Sequence, residues 1–211
     1  MDGMEVKQEN NQVRKSATIS RKTRTTYALI LIPIGIAINV IGGIIAGQLK
    51  LPFFMDSIGT IVIAAITGPL IGGITGIMTN VVLGLMHGDV LGMAFGLANL
   101  ASGVIIGFMA KYGWFKNWIH VALATVFVTL ANSFIAAPIV VFLYGGVSGA
   151  GVDLVVAGFL AAGQDIFSSA FLARLPINLV DKGIAVIIAF LILKKLPDTM
   201  KNLIPPRKAK K

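Results

Sequence analysis

Glycine and asparagine recur at four-residue intervals along the apolar stretches of this chain, a spacing that few folds accept. The clearest run is Gly68, Gly72, Gly76, Asn80, Gly84 and Gly88, and Gly35, Asn39, Gly43 and Gly47 repeat the theme upstream. In water each such glycine weakens a helix by about 1 kcal/mol relative to alanine. In a bilayer the backbone has no water to bond, so it keeps its own hydrogen bonds and the helix persists. The glycines then become grooves in which neighbouring helices approach closely. A four-residue step overshoots one turn by about 40°, so the longer run winds around its helix and predicts neighbours on more than one side. The expectation is a compact, polytopic membrane bundle.

Composition supports this. Of 211 residues, 56% are hydrophobic and only 13% charged, against roughly 25% charged in an average soluble domain. Cysteine is absent, which excludes disulfides and thiolate metal sites. The net charge of +9 raises the question of nucleic acid, but the cations sit in the wrong places for it. Lys7, Arg14, Lys15, Arg21, Lys22 and Arg24 precede the first apolar stretch, and Lys194, Lys195, Lys201, Arg207, Lys208, Lys210 and Lys211 close or follow the last. Basic tails around membrane spans are topology signals and weak attractors of anionic lipid. No aromatic–basic fold accompanies them.

Hydropathy and breakers divide the chain into a basic, disordered tail over 1–25, a membrane domain over 26–197 and a second basic tail over 198–211. The first apolar run is too long for a signal-peptide core and lacks a cleavage site. Spans are expected at about 27–48, 52–67, 70–86, 90–111, 118–144 and 176–195. Pro52 suits a first helical turn, and the Gly68-Pro69 break ends the short second span. Trp114 and Trp118 fall where an interfacial aromatic belt would place them. Residues 151–172 have the length of a seventh span, but Asp153, Gln164 and Asp165 oppose insertion, a central aspartate costing about 2.5–3.5 kcal/mol. Residues 145–175 therefore read as outer helices or a lid. With six spans both basic tails, Lys111 and Lys116 share one side, which the positive-inside rule makes cytoplasmic. The fold class is an all-α integral membrane protein, a six-helix bundle with both termini cytoplasmic.

Polar residues inside such a bundle call for a reason. Asp56, beside Phe53, Phe54 and Ser57, is either a helix cap or a ligand contact at a cavity mouth. Asn80, Asn99, Asn132 and Asn178 fall on four different spans; each alone suits interhelical glue, and together they suit a shared polar interior. Asp165, Arg174, Asp181 and Lys182 gather toward the outer end of the last span. They read either as a structural ion-pair cluster, with adjacent Asp181 and Lys182 needing other partners, or with Arg174 or Lys182 as counter-charge for a polar or anionic ligand. Phe53, Phe54, Tyr144, Phe167 and Phe171 could stack on a ring or simply pack. His87, alone in a turn beside Gly88, is not expected to hold a metal, and no metal site or cofactor is predicted.

Catalytic and motor motifs are missing. The sequence has no Gly-x-x-x-x-Gly-Lys-Ser/Thr loop, no His-Glu-x-x-His and no Gly-x-Ser-x-Gly, and no ladder of buried acids of the kind used by proton-coupled pumps. A polar outer cavity without a motor suggests a binding component that borrows its energy.

The stretch Leu51-Pro52-Phe53-Phe54-Met55-Asp56-Ser57-Ile58-Gly59-Thr60, followed by Gly68-Pro69, Gly72-Gly73, Gly76 and Asn80, resembles the substrate-binding (S) components of energy-coupling factor (ECF) transporters. Asn178-Leu179-Val180-Asp181-Lys182-Gly183 at the start of the last span is similar to the same group. The resemblance covers about 26–197. It implies six membrane helices and a vitamin-sized ligand held near the outer face by the loops between helices one–two, three–four and five–six. It also implies a transmembrane coupling protein and two cytoplasmic ATPases as partners, and a loaded S component that topples in the membrane to release its ligand inside. The family's small-residue docking stripe on the first span is Ala-x-x-x-Ala; here Gly35, Asn39, Gly43 and Gly47 take its place.

The expected function is therefore non-enzymatic: capture of a vitamin or precursor, with cobalamin, a queuosine precursor and pantothenate as candidates, in the plasma membrane of a bacterium. Carried onto this chain, the substrate-binding set is Phe53, Phe54, Asp56, Asn80, Asn178, Asp181 and Lys182. The alternative is a self-sufficient secondary transporter or channel, which usually shows a repeat between halves; none is visible. An intramembrane enzyme lacks a recognisable catalytic set.

Overall fold

The computed structural model describes residues 21–196; the tails expected over 1–20 and 197–211 lie outside them. Seven α-helices follow in order: α1 (Arg21–Gln48), α2 (Ile58–Thr67), α3 (Pro69–His87), α4 (Gly96–Lys111), α5 (Trp118–Tyr144), α6 (Asp153–Ala161) and α7 (Ile166–Lys195), with a 3₁₀ turn over Leu91–Phe95. There is no strand among the described residues. Five of the helices are long and apolar enough to cross a bilayer. The expected second span is not among them, since α2 has ten residues and reaches about 15 Å of a hydrocarbon core about 30 Å thick.

Several boundaries moved for identifiable reasons. Pro52 does not open a helix: residues 49–57 are irregular and α2 starts only at Ile58. Pro176 lies inside α7, which begins ten residues earlier at Ile166. An interior proline removes one helix hydrogen bond, which neighbouring helices make tolerable in a membrane bundle. Part of the expected lid is thus the first turns of α7, and only α6 is a separate helix there. Asp165 caps α7, accepting from the backbone N–H groups of Phe167 and Ser168 at 2.9 and 3.0 Å. Bonding to Ser168 and Phe167 holds its carboxyl below the usual carboxylate range. Asp165 is exposed and takes no part in the cluster predicted for it.

The glycines act where helices meet. A methyl group on Gly59 would strike the backbone of Gly35, one on Gly72 would strike Ala64, and one on Gly103 would strike the backbone of Gly72. On Gly76 it would lie 2.6 Å from the Asn99 carbonyl oxygen. With Gly35 of α1 also facing Thr75, α3 is gripped by α1, α2 and α4 together. Gly68, between α2 and α3, has φ 99° and ψ −177°, a conformation essentially confined to glycine, so the chain reverses there within one residue. An apolar cluster of Ile61, Ile106, Val128, Val186 and Phe190 fills the centre of the bundle between α2, α4, α5 and α7.

The two ends of the bundle differ. Trp118 meets Phe190 edge-on at 4.7 Å, with Lys194 over the Trp118 ring. The start of α5 and the end of α7 thus share one basic end. At the other end lie residues 49–57, the 3₁₀ turn and the segment leading into α6. Val152 and Val156 pack there against Ala173 and Ile177, with Phe53 and Phe54 beneath them.

Candidate ligand-binding site

Residues 53–57 enter the bundle as irregular backbone, which membrane proteins tolerate only where protein surrounds it. Met55 has a positive φ of 54°, costly for a residue with a side chain, and its N–H donates to Asp181 Oδ1 at 2.9 Å. Asn99 Nδ2 on α4 donates to the Asp56 carbonyl at 3.1 Å. Lys182 Nζ donates to Ser57 Oγ at 2.8 Å and to Asp181 Oδ2 at 2.7 Å, and lies 3.7 Å from Asp56 Oδ1. The segment is therefore pinned to α4 on one side and to α7 on the other.

Two expectations change here. Adjacent Asp181 and Lys182 pair directly, because the long lysine stem curls back to its neighbour's carboxylate, and Ser57 and Asp56 complete the cluster. Asp56 is not a cap: Ser57 occupies the N-cap position of α2 and makes no side-chain cap bond.

A cavity of about 190 Å³ lies beside this segment. Residues 53–57 contribute Phe54 and Asp56, α3 contributes Asn80, α4 Asn99, α5 Asn132 and Tyr144, and α7 Arg174, Asn178 and Lys182. The 3₁₀ region adds Asp89 and Phe95, and Ser148 and Ala150 come from the segment before α6. Three connections at this end of the bundle thus line it. Phe95 and Tyr144 stack at 5.9 Å, and the Tyr144 hydroxyl reaches both Asp89 carboxylate oxygens at 2.7 and 2.8 Å. A second cavity of about 180 Å³, toward Gly43, Lys50 and His87, shares Phe54, Asp56 and Ala150 with the first.

Of the substrate-binding set read from sequence, Phe54, Asp56, Asn80, Asn178 and Lys182 come together in the first cavity. Phe53 lines the second, and Asp181 stands behind Lys182 as its partner. The asparagines divide by role. Asn132 donates to Ser102 Oγ at 2.7 Å and Asn178 to Ser133 Oγ at 2.9 Å, each bridging two helices, whereas Asn80 donates only within its own helix, to the Gly76 carbonyl. Phe171 packs edge-on against Phe134 and Phe167 is exposed; neither reaches the cavity. Asp89 and Phe95 were missed, since only folding brings the 3₁₀ turn over the site; an acid just after an apolar helix was the one available signal.

The small stripe on α1 turns inward, against expectation. Asn39 is 0% exposed; it donates to Thr60 and Thr79 at 2.8 and 2.9 Å and accepts from the Gly59 N–H at 2.6 Å. Gly35 faces Ile63 and Thr75, and Gly43 faces Leu83 and Asp56. Only Gly47 has open space beside it. Three of the four positions thus hold α1 to α2, α3 and the 53–57 segment, and the surface α1 leaves outside carries Ile34, Ile38, Ile41 and Ile45.

A family model described as ECF transporter, substrate-specific component, matches residues 27–193. The chain belongs to that family. It is a membrane-embedded, multi-pass transport subunit rather than an enzyme. No curated protein and no solved structure gives a significant match. Among the described residues no cluster of metal-ligating side chains occurs.

Proposed function

We propose that this S component captures a small, water-soluble vitamin or vitamin precursor at the outer face and passes it to an ATP-driven module of one transmembrane coupling protein and two cytoplasmic ATPases. The observation that carries the reading is the set of polar side chains that seven helical or loop segments bring around one cavity. No single span holds enough polar groups to desolvate such a ligand. The cavity volume of about 190 Å³ supports a small molecule. Pantothenate and a queuosine precursor are of the right order, whereas cobalamin is far too large to be enclosed. The basic end of the bundle, with Lys111, Lys116, Lys194 and Lys195, supports cytoplasmic termini in a bacterial plasma membrane. Six crossings require α2 together with residues 49–57 to make one of them, shielded by α1, α4 and α7.

Native mass spectrometry of the purified chain after expression in rich medium tests the reading. A stoichiometric copurifying metabolite of vitamin size is the expected result. Ion-driven accumulation in vesicles by the chain alone would instead assign it to secondary transport.

A further inference from the structure

Arg174 is the most conspicuous group in the cavity wall. It is 1% exposed, its Nη1 donates to the Ala170 carbonyl of its own helix at 3.1 Å, and its Nε has no partner. Among the described residues both ion pairs within 4 Å belong to Lys182. Asp153 is the acid whose field reaches Arg174, but its carboxylate already accepts from Gly149 N–H at 2.6 Å and Ser148 Oγ at 3.4 Å. A guanidinium buried with no carboxylate within ion-pair distance costs stability.

The opposite pole of the site is an acceptor. Asn99 Nδ2 is committed to the Asp56 carbonyl, which fixes the amide orientation and leaves Oδ1 buried without a donor. The Asp56 carboxylate lines the same cavity, and its nearest cation, Lys182, is held by Ser57 and Asp181. Asp89 is taken by Tyr144 and by the Gly92 N–H. The cavity therefore offers a guanidinium with an unpartnered Nε and, among the described residues, no carboxylate within 4 Å, and an acceptor pole made of the unpartnered Asn99 Oδ1 and the Asp56 carboxylate, whose one ion pair is the 3.7 Å contact with Lys182.

We infer that the ligand is a small carboxylate that also carries hydroxyl, amide or amine donors, its anionic head on Arg174 and its donors on Asn99 Oδ1 and Asp56. The guanidinium fork matches a carboxylate bidentately. Asp56, Asp89, Asp153 and Asp181 around the site oppose a polyanion such as a phosphate ester, and Arg174 opposes a simple cation. This rests on the reading of the cavity as the ligand site.

The test compares the wild-type full chain with Arg174→Gln, both purified from rich medium and their small molecules identified by mass spectrometry. Pantothenate and its neutral alcohol, pantothenol, serve as matched probes in thermal-shift titrations. The expected result is a copurifying carboxylate with hydroxyl or N–H donors, depleted in Arg174→Gln. Pantothenate should bind the wild type at least tenfold tighter than pantothenol, and Arg174→Gln should weaken it about ten- to a hundredfold. The ligand-free Tm of the variant should be equal or higher, since it loses an unpaired buried charge. A neutral, cationic or phosphorylated copurifying ligand overturns the inference and leaves the importer reading standing. So does equal binding of the two probes, or a ligand-free Tm that falls while the probe ratio survives. Absence of any copurifying molecule and of any probe binding overturns both.

Discussion

Asn39 donates to two threonines and accepts from a backbone N–H, so Asn39→Ala strands the Thr60 hydroxyl and the Gly59 N–H on α2, while Thr79 keeps its bond to the Thr75 carbonyl. Each unpaired group costs about 1–3 kcal/mol, and the expected outcome is a lower Tm in detergent with unchanged affinity in the molecules that remain folded. Asp56 is the reverse case. Lys182 keeps Asp181 and Ser57 when Asp56 is truncated, so Asp56→Ala should fold and bind its ligand about five- to a hundredfold more weakly, by isothermal titration. Unchanged affinity would remove Asp56 from the acceptor pole. From sequence, Asn39 reads as part of a docking stripe and Asp56 as a helix cap or a ligand contact. Their partners lie on α2, α3, α4 and α7, far along the chain, which is why spacing alone could not sort them.

Helix α1 carries its small residues toward α2 and α3. Gly35→Leu would drive a side chain into Ile63 and Thr75, whereas a Cβ at Gly47 would meet nothing within 4 Å. The first substitution should reduce the monodisperse yield in size-exclusion chromatography; the second should leave yield and Tm unchanged. Preserved yield in Gly35→Leu, with loss of complex assembly, would restore α1's small stripe as a docking face. The four-residue glycine spacing announced close helix approach. It did not say whether the approaching helix belongs to this chain or to another, because the physics of close contact is the same in both.

The whole molecule carries a polar cavity and no Gly-x-x-x-x-Gly-Lys-Ser/Thr loop. The chain reconstituted alone should bind its ligand without concentrating it; uptake should appear only with a coupling protein, ATPases and internal ATP. Accumulation of labelled ligand in vesicles driven by an ion gradient, with no partner present, would be the contrary result.

Sequence by itself determined the membrane class, the helical fold and the approximate spans of α3 and α5, because hydrophobic periodicity, glycine spacing and the positions of charge are local properties that a bilayer reads directly. It also identified the 51–60 stretch and the Asn178–Gly183 stretch as the chemically distinctive parts. Tertiary structure decided which polar groups face each other. Lys182 is paired with carboxylates and Arg174 is left, among the described residues, without an ion pair within 4 Å because residues 53–57 fold into the bundle beside one and not the other. The ion-pair distances and the cavity follow from that placement. Burial, which sets the worth of an unpaired charge, exists only once the helices have packed.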